Sequence, residues 1–299
     1  MPMPVTALLS LLLRLPLLGH HTHEPPLDVP TYEEPDTASW VFTFAPAEVL
    51  YPAYTADPRR ATFGLVWVDT RESEIGAASD SRVEIRMGSR FAVLGLHESD
   101  DPDGGFQIAG DVGFLAQFDR ENSTDNIGWD GLYGFHVAWR ALPELALRVG
   151  MAHDSSHVGD EFIERTGRKR IGYTREEFLG GLRYSPLQAW TGYLEYGHAY
   201  DMGNDDVMQE GRVQYGLEFE PAPMWWKKCL GPFAALDVSS YEEDDWEENW
   251  TVQLGLVHHR AGRGVPWRFG VEYYDGRSVI GEFFQEHERH FAWGVWFDL

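Results

Sequence analysis

The chain has 299 residues and a formal net charge of −24. Its length accommodates one large all-β domain or two smaller ones, and its charge excludes a nucleic-acid partner, because phosphate binding needs a basic surface. With 31 glycines, 14% aromatic residues and a single cysteine, Cys229, the composition rules out an internal disulfide framework and suits a cell-surface or periplasmic protein.

The apolar run "VTALLSLLLRLPLLG" has the length of a secretory h-region and is too short to cross a membrane as a helix. Residues 1–19 therefore read as a signal peptide. The polar, proline-rich stretch "HHTHEPPLDVPTYEEPD" that follows reads as a flexible leader, taken to run over residues 20–60 in the periplasm. Its His20, His21 and His23 read as part of a solvated tail rather than as metal ligands.

From about residue 61 to 299 no long amphipathic helix is written, and apolar and polar residues alternate with period two. In "GRVQYGLEFE", Val213, Tyr215, Leu217 and Phe219 share one face, while Arg212, Gln214, Gly216, Glu218 and Glu220 share the other. Twelve such segments can be drawn, near 61–69, 82–95, 105–119, 130–140, 144–155, 171–185, 190–200, 211–220, 232–241, 249–259, 266–275 and 289–298. Most have the roughly 9–11 residues that a tilted strand needs to cross a bilayer. Their polar face is rich in glycine and isolated charges, as a barrel lumen is, and their apolar face is aromatic near strand ends, as interfacial girdles are. The expected fold is all-β: a closed antiparallel transmembrane β-barrel of about twelve strands, of the outer-membrane type.

Connection lengths support this. Long polar links such as "SHVGDEFIERTGRKR" and "GRSVIGEFFQEHER" alternate with short ones such as "ALPE" and "PLQA", as external loops alternate with periplasmic turns in bacterial barrels. "PAPMWWKKCLG" is the long exception on the turn side. The last strand, "FAWGVWFDL", is similar to the C-terminal signal read by the outer-membrane insertion machinery, which is the partner expected during biogenesis. The acidic loops "ENSTDN", "GNDD" and "EEDDWEEN" offer the oxygen ligands that hard cations prefer, so calcium or magnesium is the only cofactor the sequence implies.

The segment with the richest chemistry is "MAHDSSHVGDEF". Parity puts Leu145, Leu147, Val149 and Met151 on the lipid face, and His153, Ser155 and His157 continue that face towards the outer leaflet. Residues two apart on a strand lie about 7 Å apart on one face, within reach for an imidazole to act as base towards a serine hydroxyl. This lipid-facing H-x-S resembles the motif of two families, outer-membrane phospholipase A and the lipid A deacylase, where the serine is followed by Asn and not by a residue such as Ser156. The resemblance implies a lipid acyl-ester hydrolase with Ser155 as nucleophile and His153 as base, acting on outer-membrane lipid or lipopolysaccharide. Over a longer stretch, "HDSSHVGDEF", "RIGYTREEF" and "WTGYLEYGHAY" are similar to a bacterial family of exported barrels known only as a domain of unknown function, with an H-x-S-S-H-x-G-D-E signature.

Pairing Glu144 with Ser185 places residue 176 opposite His153, and Glu176 shares the lipid face with it. A carboxylate there is poorly suited to insertion and well suited to orienting His153. His157, Asp160 and Glu161 form an alternative, metal-binding set. The other reading of the whole chain is a non-enzymatic barrel, a small-solute channel or a structural surface protein, in which Arg148, Arg183, Glu195, Glu218 and Glu272 line a pore or pair across a closed lumen.

Overall fold

The computed structural model describes residues 39–259 and 265–298; the expected signal peptide, the three N-terminal histidines and most of the expected leader lie outside them. Thirteen strands form one antiparallel sheet: β1 (Trp40–Phe44), β2 (Phe63–Ser73), β3 (Ser81–Glu98), β4 (Asp101–Asp119), β5 (Asp125–Leu142), β6 (Leu145–Val158), β7 (Thr174–Leu187), β8 (Trp190–Met202), β9 (Gly211–Phe219), β10 (Leu230–Tyr241), β11 (Glu248–His258), β12 (Trp267–Arg277) and β13 (His287–Phe297). Each of β2 to β13 pairs with its neighbours in sequence, and β2 pairs with both β3 and β13, which closes a twelve-stranded barrel. One end carries the tight connections 99–100, 143–144 and 188–189, and the other carries the loops; these are called here the turn end and the loop end. The twelve strands fall on the twelve alternating segments, since an inside-outside alternation that holds over a whole strand is the strongest signal a sheet can leave in a sequence.

The barrel is inside out relative to a soluble protein. Val149, Phe178, Leu194, Val271 and Phe291 are exposed on the outer face, while Arg82, Glu84, Glu195, Gln253 and Glu272 are buried within. The outer band is what hydrocarbon would cover. Inside, each charge needs a partner, because an unpaired ion in a low-dielectric interior is costly. Arg148 Nε donates to Glu195 at 2.8 Å, Arg212 bridges Glu177 and Glu195, and Arg86 bonds Glu84 and Glu272 at 2.5 and 3.1 Å. Arg183 bonds Glu218. The five charged residues expected to line a pore or pair across the lumen thus all pair.

Three features differ from the sequence reading. The described part of the expected leader, residues 39–60, does not stay outside the barrel. β1 pairs with β3 beyond the point where β2 begins, and residues 45–62 then fold into the lumen as a plug. Tyr51 and Tyr54 are buried in it; Tyr54 stacks on Tyr193 at 3.8 Å and its hydroxyl donates to Glu195 at 3.0 Å. The Thr55 amide donates to Glu218 at 2.6 Å, and the Leu50 amide to Gln107 at 2.8 Å. Such a segment has no period to read, because its order comes from contacts with the wall. Second, β3, β4 and β5 run longer than their segments. Third, a short helix, α1 (Asp160–Thr166), interrupts the longest loop and ends at Gly167, whose φ of 71° is the left-handed conformation that favours glycine. Phe162 of α1, Val279, Ile280 and Phe283 form an apolar cap at the loop end with Ile127 and Leu115.

Glu195 connects the wall to the plug, and its removal tests the interior. Glu195→Ala leaves Arg148 without a carboxylate and Tyr54 without an acceptor, so it should lower unfolding stability in detergent by about 3–5 kcal/mol. Asp201→Ala, at the rim, should cost far less. Equal urea midpoints for the two variants would show that the luminal pairs do not hold the barrel.

Candidate functional site

The outward face of β5, β6 and β7 brings the chemistry together. Across β5–β6, His153 lies opposite Tyr133, Ser155 opposite Gly131 and His157 opposite Trp129. Across β6–β7, His153 lies opposite Glu176 and Ser155 opposite Thr174. His153 Nδ1 is hydrogen-bonded to Glu176 Oε1, and the Tyr200 hydroxyl donates to Glu176 Oε2 at 3.4 Å. The Tyr133 ring stacks on His153 with centroids 4.3 Å apart. The imidazole is thus held on one edge by a carboxylate and on one face by an aromatic ring. The His153 and Glu176 side chains are 17% and 23% exposed, enough cover to strengthen the bond relative to water while leaving the site open to the surroundings of the barrel.

A carboxylate at Nδ1 selects the tautomer that carries its proton there and leaves Nε2 as an acceptor. That is the form a general base needs. Ser155 stands two residues along the same face, flanked by Gly131, where a Cβ would sit 3.5 Å from Ser155 Oγ. The missing side chain leaves one flank of the hydroxyl clear. Among the described residues no hydrogen bond joins Ser155 to His153, an arrangement common in catalytic pairs without substrate.

The set His157, Asp160 and Glu161 is not brought together as metal ligands. His157 stacks on Trp129 at 4.1 Å and its Nδ1 is taken by Arg170 at 2.8 Å, while Asp160 and Glu161 are exposed on the first turn of α1. Among the described residues no three His, Cys, Asp or Glu side chains gather within reach of one ion. In the acidic loop after β10, Glu243 and Asp244 are bridged instead by Arg277 at 3.1 and 2.9 Å.

Residues that flank Ser155 in sequence point the other way. Asp154 and Ser156 face the lumen, where the Ser156 hydroxyl bonds Asp130 and accepts the Glu282 amide at 2.8 Å. Glu282 accepts the amides of Ile171, Gly172 and Tyr173 at 2.6, 2.9 and 3.2 Å, which pins the loop before β7 over the barrel mouth. Burial there pushes the Tyr173 hydroxyl up. The sequence reading missed Tyr133 and Tyr200, which the separate β5–β6 and β7–β8 registers bring to His153 and Glu176.

The family model described as "Protein of unknown function (DUF1207)" matches residues 36–298. No curated protein sequence matches. Among solved structures, outer membrane phospholipase A from Escherichia coli aligns with a TM-score of 0.56 at 10% identity, over 80% of this chain and 93% of that one. The Salmonella typhi outer membrane phospholipase dimer with bound calcium gives 0.56 at 10%, over 83% and 95%. LpxR from Salmonella typhimurium gives 0.42 at 8%, over 80% and 100%. At 10% identity the likeness to the two phospholipases is one of fold.

A double-mutant cycle in detergent checks the His153–Glu176 contact. His153→Ala and Glu176→Ala should be non-additive in unfolding free energy by about 0.5–3 kcal/mol, whereas His153→Ala with Glu161→Ala should add. Additivity in the first pair would mean that the bond contributes nothing.

Proposed function

The chain belongs to the DUF1207 family and has a fold of the outer-membrane barrel type; from the geometry on its outer face we propose that it is a lipid acyl-ester hydrolase. Its site lies on the outside of the barrel, with Ser155 as nucleophile, His153 as general base and Glu176 as the group that orients it. The observation that carries this reading is the His153–Glu176 hydrogen bond on the outward face of the H-x-S strand. A histidine–carboxylate pair on the lipid face costs free energy there, and its presence beside a serine supports a chemical role. The plug and the luminal ion pairs that stand inside the barrel argue against a wide solute channel.

In the reaction, Ser155 Oγ attacks the acyl carbonyl of a phospholipid or lipopolysaccharide ester in the leaflet as His153 Nε2 takes its proton. Glu176 stabilises the imidazolium. Collapse of the tetrahedral adduct breaks the ester C–O bond, and His153 returns the proton to the leaving alcohol. Water, deprotonated by the same imidazole, then cleaves the acyl-serine and releases the fatty acid.

A fluorophosphonate probe on the detergent-solubilised protein should label Ser155, and phospholipid or lipopolysaccharide should release fatty acid. Ser155→Ala should abolish both. His153→Ala should lower turnover by on the order of 10⁴-fold or more and Glu176→Ala by less, as for the members of other serine triads. Labelling that persists in Ser155→Ala, or a wild-type protein inert to the probe and to both lipids, would end this reading.

A further inference from the structure

The plug reaches the back of the strand that carries the site. Arg59 extends from it towards the loop end with its guanidinium 2.7 Å from Asp130 on β5; the same group bonds Asp154 on β6 and donates to the Val279 carbonyl. Asp130 also receives the Ser156 hydroxyl and the Gly281 amide, the latter at 3.0 Å. Both luminal neighbours of Ser155, Asp154 and Ser156, are therefore tied into one cluster of which Arg59 is the only cation in hydrogen-bond contact among the described residues. Asp130 is wholly buried and the Asp154 side chain is 15% exposed. Two carboxylates this enclosed repel each other unless a cation lies between them.

We propose that Arg59 is a positioning residue for the Ser155 site: by holding Asp154 and Asp130 together inside the barrel, it fixes the height and tilt of the strand whose outer face presents His153 and Ser155. This rests on the acyl-hydrolase reading. A β-strand transmits the constraint directly, because consecutive side chains leave the same backbone in opposite directions. Pinning residues 154 and 156 on one side fixes the backbone from which residue 155 projects on the other. The same plug is anchored independently at the turn end, where Arg60 pairs with Asp298 at 3.2 Å and the Thr55 amide bonds Glu218, the partner of Arg183. Losing Arg59 would thus loosen the strand without expelling the plug.

The test is steady-state kinetics and fluorophosphonate labelling of the full chain in detergent, normalised to the folded fraction from heat-dependent gel mobility. Arg59→Ala should lower kcat and the labelling rate by on the order of 10²-fold, the scale of a misplacement of about 1 Å, with KM unchanged. Arg59→Lys, which keeps the charge, should recover a large part of both. Arg183→Ala, which weakens the plug anchor at the turn end, should leave kcat per folded molecule as in the wild type. If Arg59→Ala loses activity only in proportion to its unfolded fraction, or if Arg183→Ala loses as much per folded molecule, the proposal is overturned and Arg59 is a stability residue. An unlabelled, inactive wild type would instead overturn the hydrolase reading, and this proposal with it.

Discussion

Charge neutralisation inside a closed wall is the constraint on which the rest of this structure depends. A twelve-stranded barrel whose outer face is given over to lipid has to fill its lumen with the other face of each strand, and here that face carries Arg82, Arg86, Arg148, Arg175 and Arg212 opposite Glu84, Glu177, Glu195, Glu272 and Glu288. Removing one member leaves a buried charge that costs several kcal/mol. The network also sets the register. Sliding one strand by a single residue would turn its arginines into the hydrocarbon and its phenylalanines into the lumen, so the wall is fixed in one alignment.

That fixed alignment is what makes an external site possible. His153 and Glu176 come from different strands, and their meeting depends wholly on how β6 and β7 are paired. The pairing is locked by neighbours with nothing to do with chemistry: Met151 against Phe178 on the outer face, and Arg148, held by Glu195, opposite Gly181 within. A loop could not hold a histidine against a carboxylate in an apolar medium with comparable economy of residues, since each strand already has its backbone satisfied by the ladder.

The fold was largely legible because its rule is local and repeated. Alternation of apolar and polar residues is visible one strand at a time, and the register of β6 on β7 followed from levelling their ends at the turn end, where the Ser185 amide bonds the Glu144 carbonyl at 2.7 Å. Counting up from that pair reaches His153 opposite Glu176. What could not be read were segments whose order is imposed from elsewhere. "APAEVLYPAYTADPRR" has neither period nor propensity, and only the presence of Tyr193, Glu195 and Glu218 around it makes Tyr54 and Thr55 buried residues. Likewise α1 is too short to declare itself, and it exists because Phe162 packs on Phe283 at the mouth.

Polar groups therefore occupy two kinds of place in this chain, inside the barrel and on its outer face, and the proposed catalytic residues all belong to the second. Inside, charges sit in networks that answer to one another: Arg148 satisfies Glu195, Arg212 spans Glu177 and Glu195, and the plug's Tyr54 completes the set. Outside, Arg289 pairs with Glu72 and Asp275 near the loop end, and the Glu176, His153 and Tyr200 cluster stands on the outward face apart from the luminal networks. Two serines adjacent in sequence divide along the same line. Ser156 is consumed by Asp130 and the Glu282 amide and belongs to the interior. Ser155, on the opposite face of the same backbone, stands beside Gly131 with its hydroxyl in no hydrogen bond among the described residues, which leaves it available for the role proposed above.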